Sequence, residues 1–460
     1  MEENKVINEK KGDDRVDHEL GIMPIRQLLL KMSVPVMISM LVLALYNVVD
    51  SIFVARISEE ALSALSLAFP IQTLMGALNI GTNVGVTALI SRSLGERKFE
   101  KANDYARHGL FLAIIYFIIF ALLGIFFTET YFNFVTSDVD IRREGINYLS
   151  IITIFSFGCF IQVSFEKFMQ ATGKSISSMV TQLSGAIFNI IFDPILIFGL
   201  FGFPALGTKG AAIATVAGQI FGMFVGYFLN KYTNQYLQLE FFKLRVKPQM
   251  IKNIFKIGIP SIIMQSIGSF MVMGLNAILI QYQSAVAVLG IYYKIQSFIF
   301  MPLFGLNSGM VPIVSYNYGA KNKERIYAVI KEARSIGFMI MVAGTLLVFI
   351  FPEFILDLFS ASDRMKEVGI YALRVISLHF CFVSSNVLRS SVMQATKNEL
   401  YSLIASLIRQ IVFLLPSAYI LSKFFGLKGI WFCFFISEGA AAIVISYLYK
   451  KTKKEQIDVL

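Results

Sequence analysis

Charge is what this chain has least of. Asp, Glu, Lys and Arg make up 15% of its 460 residues, against about 25% in soluble domains, which excludes an ordinary water-soluble fold. Cysteine is scarce as well. Cys159, Cys381 and Cys433 each lie inside an apolar run, so neither a disulfide framework nor a thiolate metal cluster is expected. His18, His108 and His379 show no ligand spacing, and no Walker A lysine loop is present, so no resident metal, no cofactor and no direct use of ATP is expected. Acids inside the apolar runs are few and do not cluster at a helix end, which argues against an enzyme acting on lipid. Alternation with period two is missing, which excludes a membrane barrel. Residues 1–20 are polar and the first apolar run is too long for a signal-peptide core, so no cleavable signal is expected.

What the chain does have is apolar residue, 56% of the total. A helix crosses the hydrocarbon core with roughly 20 residues. Twelve runs reach that length, at approximately 27–55, 62–90, 106–128, 147–170, 177–201, 208–229, 254–281, 284–315, 328–351, 369–393, 400–421 and 427–449. The expected fold is an all-α membrane protein.

The net charge of +11 is not a nucleic-acid signal, because the bases gather in alternate loops. Arg92, Arg97, Lys98 and Lys101 follow span 2. Lys243, Arg245 and Lys247 follow span 6, Lys321, Lys323 and Arg325 follow span 8, and Lys450, Lys451, Lys453 and Lys454 close the chain. Intervening loops are mixed or acidic, with Glu59 and Glu60, then Glu129, Asp138 and Asp140, then Glu353, Asp357 and Asp363. Positive charge marks the cytoplasmic side, so both termini are expected there, in a multi-pass protein of the cell (plasma) membrane.

The chain also repeats itself. Ile71-Gln72 returns as Ile295-Gln296, 224 residues later, and Gly81-Thr82-Asn83-Val84-Gly85 as Gly305-Leu306-Asn307-Ser308-Gly309. Ser91 and Gly95 return as Ser315 and Gly319, and Met169-Gln170-Ala171-Thr172 as Met393-Gln394-Ala395-Thr396. Six spans per copy keep the same topology, so the copies are parallel repeats, a 6+6 arrangement of two pseudo-symmetric lobes. The expected parts are a tail at 1–24, an N-lobe at 25–230, a cytoplasmic linker at 231–253, a C-lobe at 254–449 and a tail at 450–460. In such two-lobed transporters the substrate sits between the lobes, which rock to give alternating access.

The copies differ in their acids. Asp50 and Asp193 lie inside apolar runs of the first copy, while the second has Gly274 or Leu275 and the uncharged stretch Phe413–Ser417. An acid at bilayer depth costs about 2.5–3.5 kcal/mol on insertion scales, which makes it a functional candidate. The alternative is an acid satisfied by polar neighbours with no transport role. Asn189 and Asp193 are four apart and share one face of span 5. Spans 1 and 5 both run outward, which puts Asp50 and Asp193 at similar depth. Tyr148 begins span 4 at that level, as a donor to a carboxylate or as an interfacial anchor. Asn47, one turn below Asp50, reads equally as a pocket amide or a packing amide. Pro35 and Pro260 bend spans 1 and 7 at nearly equivalent places, with or without motion. Glu166 beside Lys167 reads as a local ion pair or a snorkelling charge. Arg409 reads as a structural partner of Glu438 or as a substrate contact. Gly81, Asn83, Gly85 and their copies read as helix-packing positions.

Three segments, Tyr46-Asn47-Val48-Val49-Asp50, Gly81 to Gly95 and Asn189-Ile190-Ile191-Phe192-Asp193-Pro194, resemble the multidrug and toxic compound extrusion (MATE) transporters. So does Gly207-Thr208-Lys209-Gly210-Ala211-Ala212, echoed by Gly426-Leu427-Lys428-Gly429. The resemblance covers nearly the whole chain after residue 25, and points to the prokaryotic branch whose coupling acids lie in the N-lobe. It implies twelve helices in two six-helix bundles, working as a monomer, that export cationic, amphipathic compounds against inward protons or sodium. It implies that Asp50, Asn189, Asp193 and Tyr148 form the cation and proton site, with sodium possible at Asp50, Asp193 and Asn189. It also implies that a bend of the first helix, at Pro35, accompanies protonation. Gln265 stands where some other branches keep an acid, which weakens the case for a C-lobe sodium site. The competing assignment in the same superfamily is a lipid-linked oligosaccharide flippase. That activity calls for extra helices or a basic central cavity, and Arg409 is the single mid-depth base.

Overall fold

The computed structural model describes residues 17–238, 244–282, 284–359 and 361–460, with the side chains of 17, 18, 47 and 48 outside the description. Ten helices among them are long and apolar enough to cross a bilayer, and two bent helix pairs bring the number to twelve. Span 1 is Ile25–Ala55, span 2 Glu59–Gly95, span 3 Phe99–Phe126, span 5 Ser175–Phe198 and span 6 Thr208–Thr233. Span 7 is Pro248–Leu279, span 8 Ala285–Gly319, span 9 Lys323–Ile350, span 11 Glu399–Ile430 and span 12 Cys433–Ile457. No strand occurs among the described residues.

Spans 4 and 10 depart from the unbroken runs expected from hydropathy. Span 4 is Val139–Ile154 followed by Phe157–Ala171, bent by 48°, and span 10 is Asp363–Ser377 followed by Phe380–Ala395, bent by 46°. No proline stands at either break. Instead a hydroxyl turns back on its own helix just before it: Thr153 donates to Leu149 O at 2.7 Å, and Ser377 to Arg374 O at 2.9 Å. Such back-bonding competes with the helical ladder and bends it.

The chain divides into two compact units, and the division passes through helices. Unit 1 holds Ile38–Gly258, and unit 2 holds Met23–Met37 with Ile259–Leu460. Each unit thus takes in the opening segment of the other copy's first span. The repeated glycines explain the fit. A Cβ on Gly309 would stand 2.8 Å from the Ser33 Cα, and one on Gly305 would stand 2.7 Å from the Met37 Cα, both inside unit 2. In unit 1 a Cβ on Gly85 would stand 2.6 Å from Ile254 O, and one on Gly258 would stand 3.2 Å from the Thr82 Cα. Without a hydrophobic drive between helices in lipid, close backbone approach at small residues is what holds them together.

Hydrogen bonds tie the polar approach to span 7 within unit 1. The Gln238 N–H donates to Asn103 Oδ1 at 2.7 Å, and the Lys247 N–H donates to His108 Nε2 at 2.9 Å. Large apolar side chains such as Phe126, Phe224, Phe270 and Ile443 are exposed on the spans, an arrangement that water would not favour.

Candidate functional site

Spans 5 and 6 build the centre of the site in unit 1. Their backbones touch where two glycines face each other: a Cβ on Gly218 would meet Gly185 O at 2.7 Å, and one on Gly185 would meet Gly218 O at 2.9 Å. One turn along span 5 from Gly185, this approach lets the Asn189 Nδ2 donate to Thr215 Oγ1 of span 6 at 3.2 Å. The same amide donates to Asp193 Oδ1 at 3.3 Å. Pro194 follows directly and carries no N–H, so one ladder bond of span 5 is missing next to the acid. The connection to span 6 closes with Leu206 and Gly207 donating to Leu196 O and Ile197 O, and Gly207 takes φ 56°. Gly426 takes φ 59° at the echoed motif, breaking the helix that precedes span 12.

Asp50 comes from span 1, and its carboxyl reaches that of Asp193 at hydrogen-bonding range. Two ionised carboxylates have no hydrogen to share, so the contact is favourable only with a proton or cation between them. These three residues leave acceptor oxygens without a donor: Asp50 Oδ1, Asp193 Oδ2 and Asn189 Oδ1 are buried without a hydrogen-bond partner. Buried polar atoms are ordinarily satisfied; a cation could serve all three orphaned acceptors, and a proton could be shared by the two carboxyls. Asp193 itself is fully buried, at 0% exposure.

Four of the six residues singled out from the sequence therefore stand together. Asp50, Asp193 and Asn189 share the cluster. The Tyr148 hydroxyl accepts from Gln72 Nε2 at 3.1 Å and lies within electrostatic reach of both acids. The Asn47 side chain falls outside the described residues. Pro35 sits within span 1, a single helix from Ile25 to Ala55, in the segment that belongs to unit 2.

Four neighbours escaped the sequence reading. Tyr46, one turn before Asp50, hydrogen-bonds Thr215 through its hydroxyl. Its spacing from Asp50 carried the signal. Gln72 belongs to the repeated Ile-Gln pair, which was signal enough. Thr215 is 26 positions from Asn189, and no sequence spacing announces it. Glu144, one turn before Tyr148, accepts from the buried Thr208 hydroxyl at the start of span 6.

Glu166 accepts from Gln162 Nε2 at 3.1 Å, while Lys167 donates to Gln170 Oε1 at 2.9 Å. Arg409 does pair with Glu438, at 3.4 Å, and Asn386 Nδ2 donates to the same carboxylate at 2.7 Å.

The sequence model of the family described as MatE matches residues 35–195 and again 260–420, two equal matches in nearly the register of the internal repeat. The chain is 28% identical over 434 residues to the multidrug export protein MepA of Staphylococcus aureus, covering 93% of this chain and 94% of that one. It is 27% identical over 415 residues to the probable multidrug resistance protein NorM of Thermotoga maritima, covering 88% of each. Among solved structures it is similar to the outward-facing conformation of a multidrug resistance MATE family transporter of the MOP superfamily. There the TM-score is 0.88 and the identity 26%, over 96% of this chain and 99% of the other.

Proposed function

Because this chain belongs to the MatE family of membrane transporters, matched in both of its repeats, we propose that it is a secondary multidrug efflux antiporter. It exports cationic, amphipathic compounds in exchange for protons or sodium, with coupling at Asp50 and Asp193. The observation that carries this reading is the contact of Asp193 with both Asp50 and Asn189, with a buried, unpartnered acceptor oxygen on each of the three. The names of the relatives support multidrug export, and the cationic, amphipathic character of the compounds is what the family resemblance implies.

Coupling follows from the acids. With the site empty, two facing carboxylates repel and leave Asn189 Oδ1 unsatisfied. A sodium ion can relieve both conditions, and a proton shared by the two carboxylates relieves their repulsion, so loading favours the packed arrangement of spans 1, 5 and 6 and unloading favours an open one. An export cycle needs a site that holds the coupling ion or permits substrate, but not both, and a bistable acid pair supplies that exclusivity. The second copy has no acid at the positions matching Asp50 and Asp193, so coupling belongs to the N-lobe. The basic helix ends and both termini face the cytoplasm in the plasma membrane, and the monomer is the working unit. The flippase reading is weaker, because the one mid-depth base, Arg409, is neutralised by Glu438.

The test is drug efflux from proteoliposomes under an imposed proton or sodium gradient. Wild type is expected to respond to one gradient and to lose that response in Asp50→Asn and Asp193→Asn while remaining folded. Normal efflux in both variants would reduce the acids to structural residues.

A further inference from the structure

Outside the acid site, unit 2 contains a cavity of about 570 Å³ at the basic ends of spans 9, 10 and 12. Lys331 and Arg334 of span 9, Lys453 of span 12, and Ser384 and Ser385 of span 10 line it. Among the described residues none of these three cations is paired with a carboxylate. Arg389 stands behind the wall within electrostatic reach of Arg334. Its guanidinium stacks 5.7 Å from the Tyr449 ring and its Nη1 donates to Ser446, yet its buried Nε has no partner. Asp458 approaches from the rim, but it is held by the Tyr327 hydroxyl, over whose ring Lys453 sits at 4.3 Å.

Four cations gathered around one carboxylate, Asp458 at the rim, carry an excess of positive charge, and a bound anion offsets their repulsion. The volume falls within the range of ordinary ligand pockets, roughly 300–1,000 Å³. Several convergent cations and two hydroxyls suit a group with three acceptor oxygens better than a single carboxylate. Phe338 adds an apolar wall, 53% exposed, that inorganic phosphate would leave unused but an acyl chain would cover. We propose that this pocket binds the phosphate of an anionic membrane lipid, with the chains lying along Phe338. Basic pockets between helices on the cytoplasmic side are where such headgroups bind. The site is independent of the coupling acids and of what is exported.

Purified full-length protein would be titrated with phosphatidylglycerol or phosphatidylcholine in detergent, and retained lipid counted by native mass spectrometry. Wild type is expected to retain phosphatidylglycerol preferentially. Each basic side chain at such a site is worth about fivefold, so Lys331→Ala with Arg334→Ala should weaken retention roughly twenty- to thirty-fold. Both residues are exposed, which favours folding of the variant. Lys252→Ala with Lys256→Ala removes equal charge from another exposed basic segment and should leave retention intact. The proposal is overturned if wild type shows no preference, or if the two double variants weaken retention alike. It is also overturned if millimolar inorganic phosphate displaces the lipid, since the site would then belong to a soluble anion.

Discussion

Arg97 and Lys321 stand 224 residues apart and hold the same left-handed backbone, φ 58° in each. Both lie in the turn that ends the second span of a repeat. Gly173 and Lys397 form the matching pair at the end of the fourth, with φ 84° and 71°. All four turns close alike: Lys98 N–H donates to Ser93 O, Asn322 to Asn317 O, Lys174 to Met169 O and Asn398 to Met393 O, at 2.8 or 2.9 Å. This is the six-to-one bond of a Schellman turn, whose left-handed position favours glycine. Only one of the four positions carries it.

The mismatch predicts a stabilising substitution. A side chain in the left-handed region costs about 1–2 kcal/mol, partly offset by the greater entropy a glycine loses on folding. Lys321→Gly should therefore raise stability by about 0.5–1 kcal/mol, and Gly173→Ala should lower it by a similar amount. Thermal unfolding of the two variants in detergent reads both signs. A Lys321→Gly protein that melts below wild type would contradict the argument.

Gly218 predicts the opposite sensitivity. A methyl there must push Gly185 O away from 2.7 Å, and overpacking of this kind costs about 1–3 kcal/mol. Gly218→Ala is expected to melt earlier and to transport poorly, because the separation of spans 5 and 6 also sets the Asn189–Thr215 bond. Gly76→Ala, where no atom lies within 4 Å of the added Cβ, is the control and should behave as wild type.

Much of this architecture was legible in the sequence because bilayers constrain it so tightly. Span length, the repeat and the acids in apolar runs each report a single physical demand, and Asp50 and Asp193 were singled out that way, with Asn189 added by its four-residue spacing from Asp193. The break between Ile154 and Phe157 was not legible, because no proline marks it, Gly158 lies inside the following helix and a threonine hydroxyl bonds back at the break. Thr215 was missed for a related reason. A contact between spans is set by how closely Gly185 and Gly218 approach, and hydropathy carries no trace of that distance. The taking of Met23–Met37 into unit 2 was equally invisible, since the residues read as the plain start of a helix.

Arg409 and Glu438 make a prediction about unit 2. Their side chains are 20% and 11% exposed, at 3.4 Å, and breaking a buried pair by removing one partner costs about 3–5 kcal/mol. Arg409→Met alone should be strongly destabilising. Arg409→Met with Glu438→Gln should recover most of the loss, because the glutamine can still accept from Asn386 Nδ2. The double-mutant cycle measured by thermal unfolding gives the coupling directly, and a value near zero would show that the pair contributes nothing.

Thr215 offers the sharpest separation of structure from function. Its hydroxyl binds both the Asn189 amide and the Tyr46 hydroxyl, so it fixes the orientation of the two groups flanking the acid pair without carrying charge. Thr215→Val keeps the shape and removes the oxygen, at a cost of about 1–3 kcal/mol for the polar partners left unsatisfied. The Asn189 amide would then be anchored by Asp193 alone, and the cluster would lose the geometry on which the proposed coupling rests. Gradient-driven efflux should fall several-fold in Thr215→Val and return in Thr215→Ser, which restores the hydroxyl. If the valine variant folds and transports at the wild-type rate, the orientation of Asn189 has no part in coupling, and the site reduces to the two acids alone.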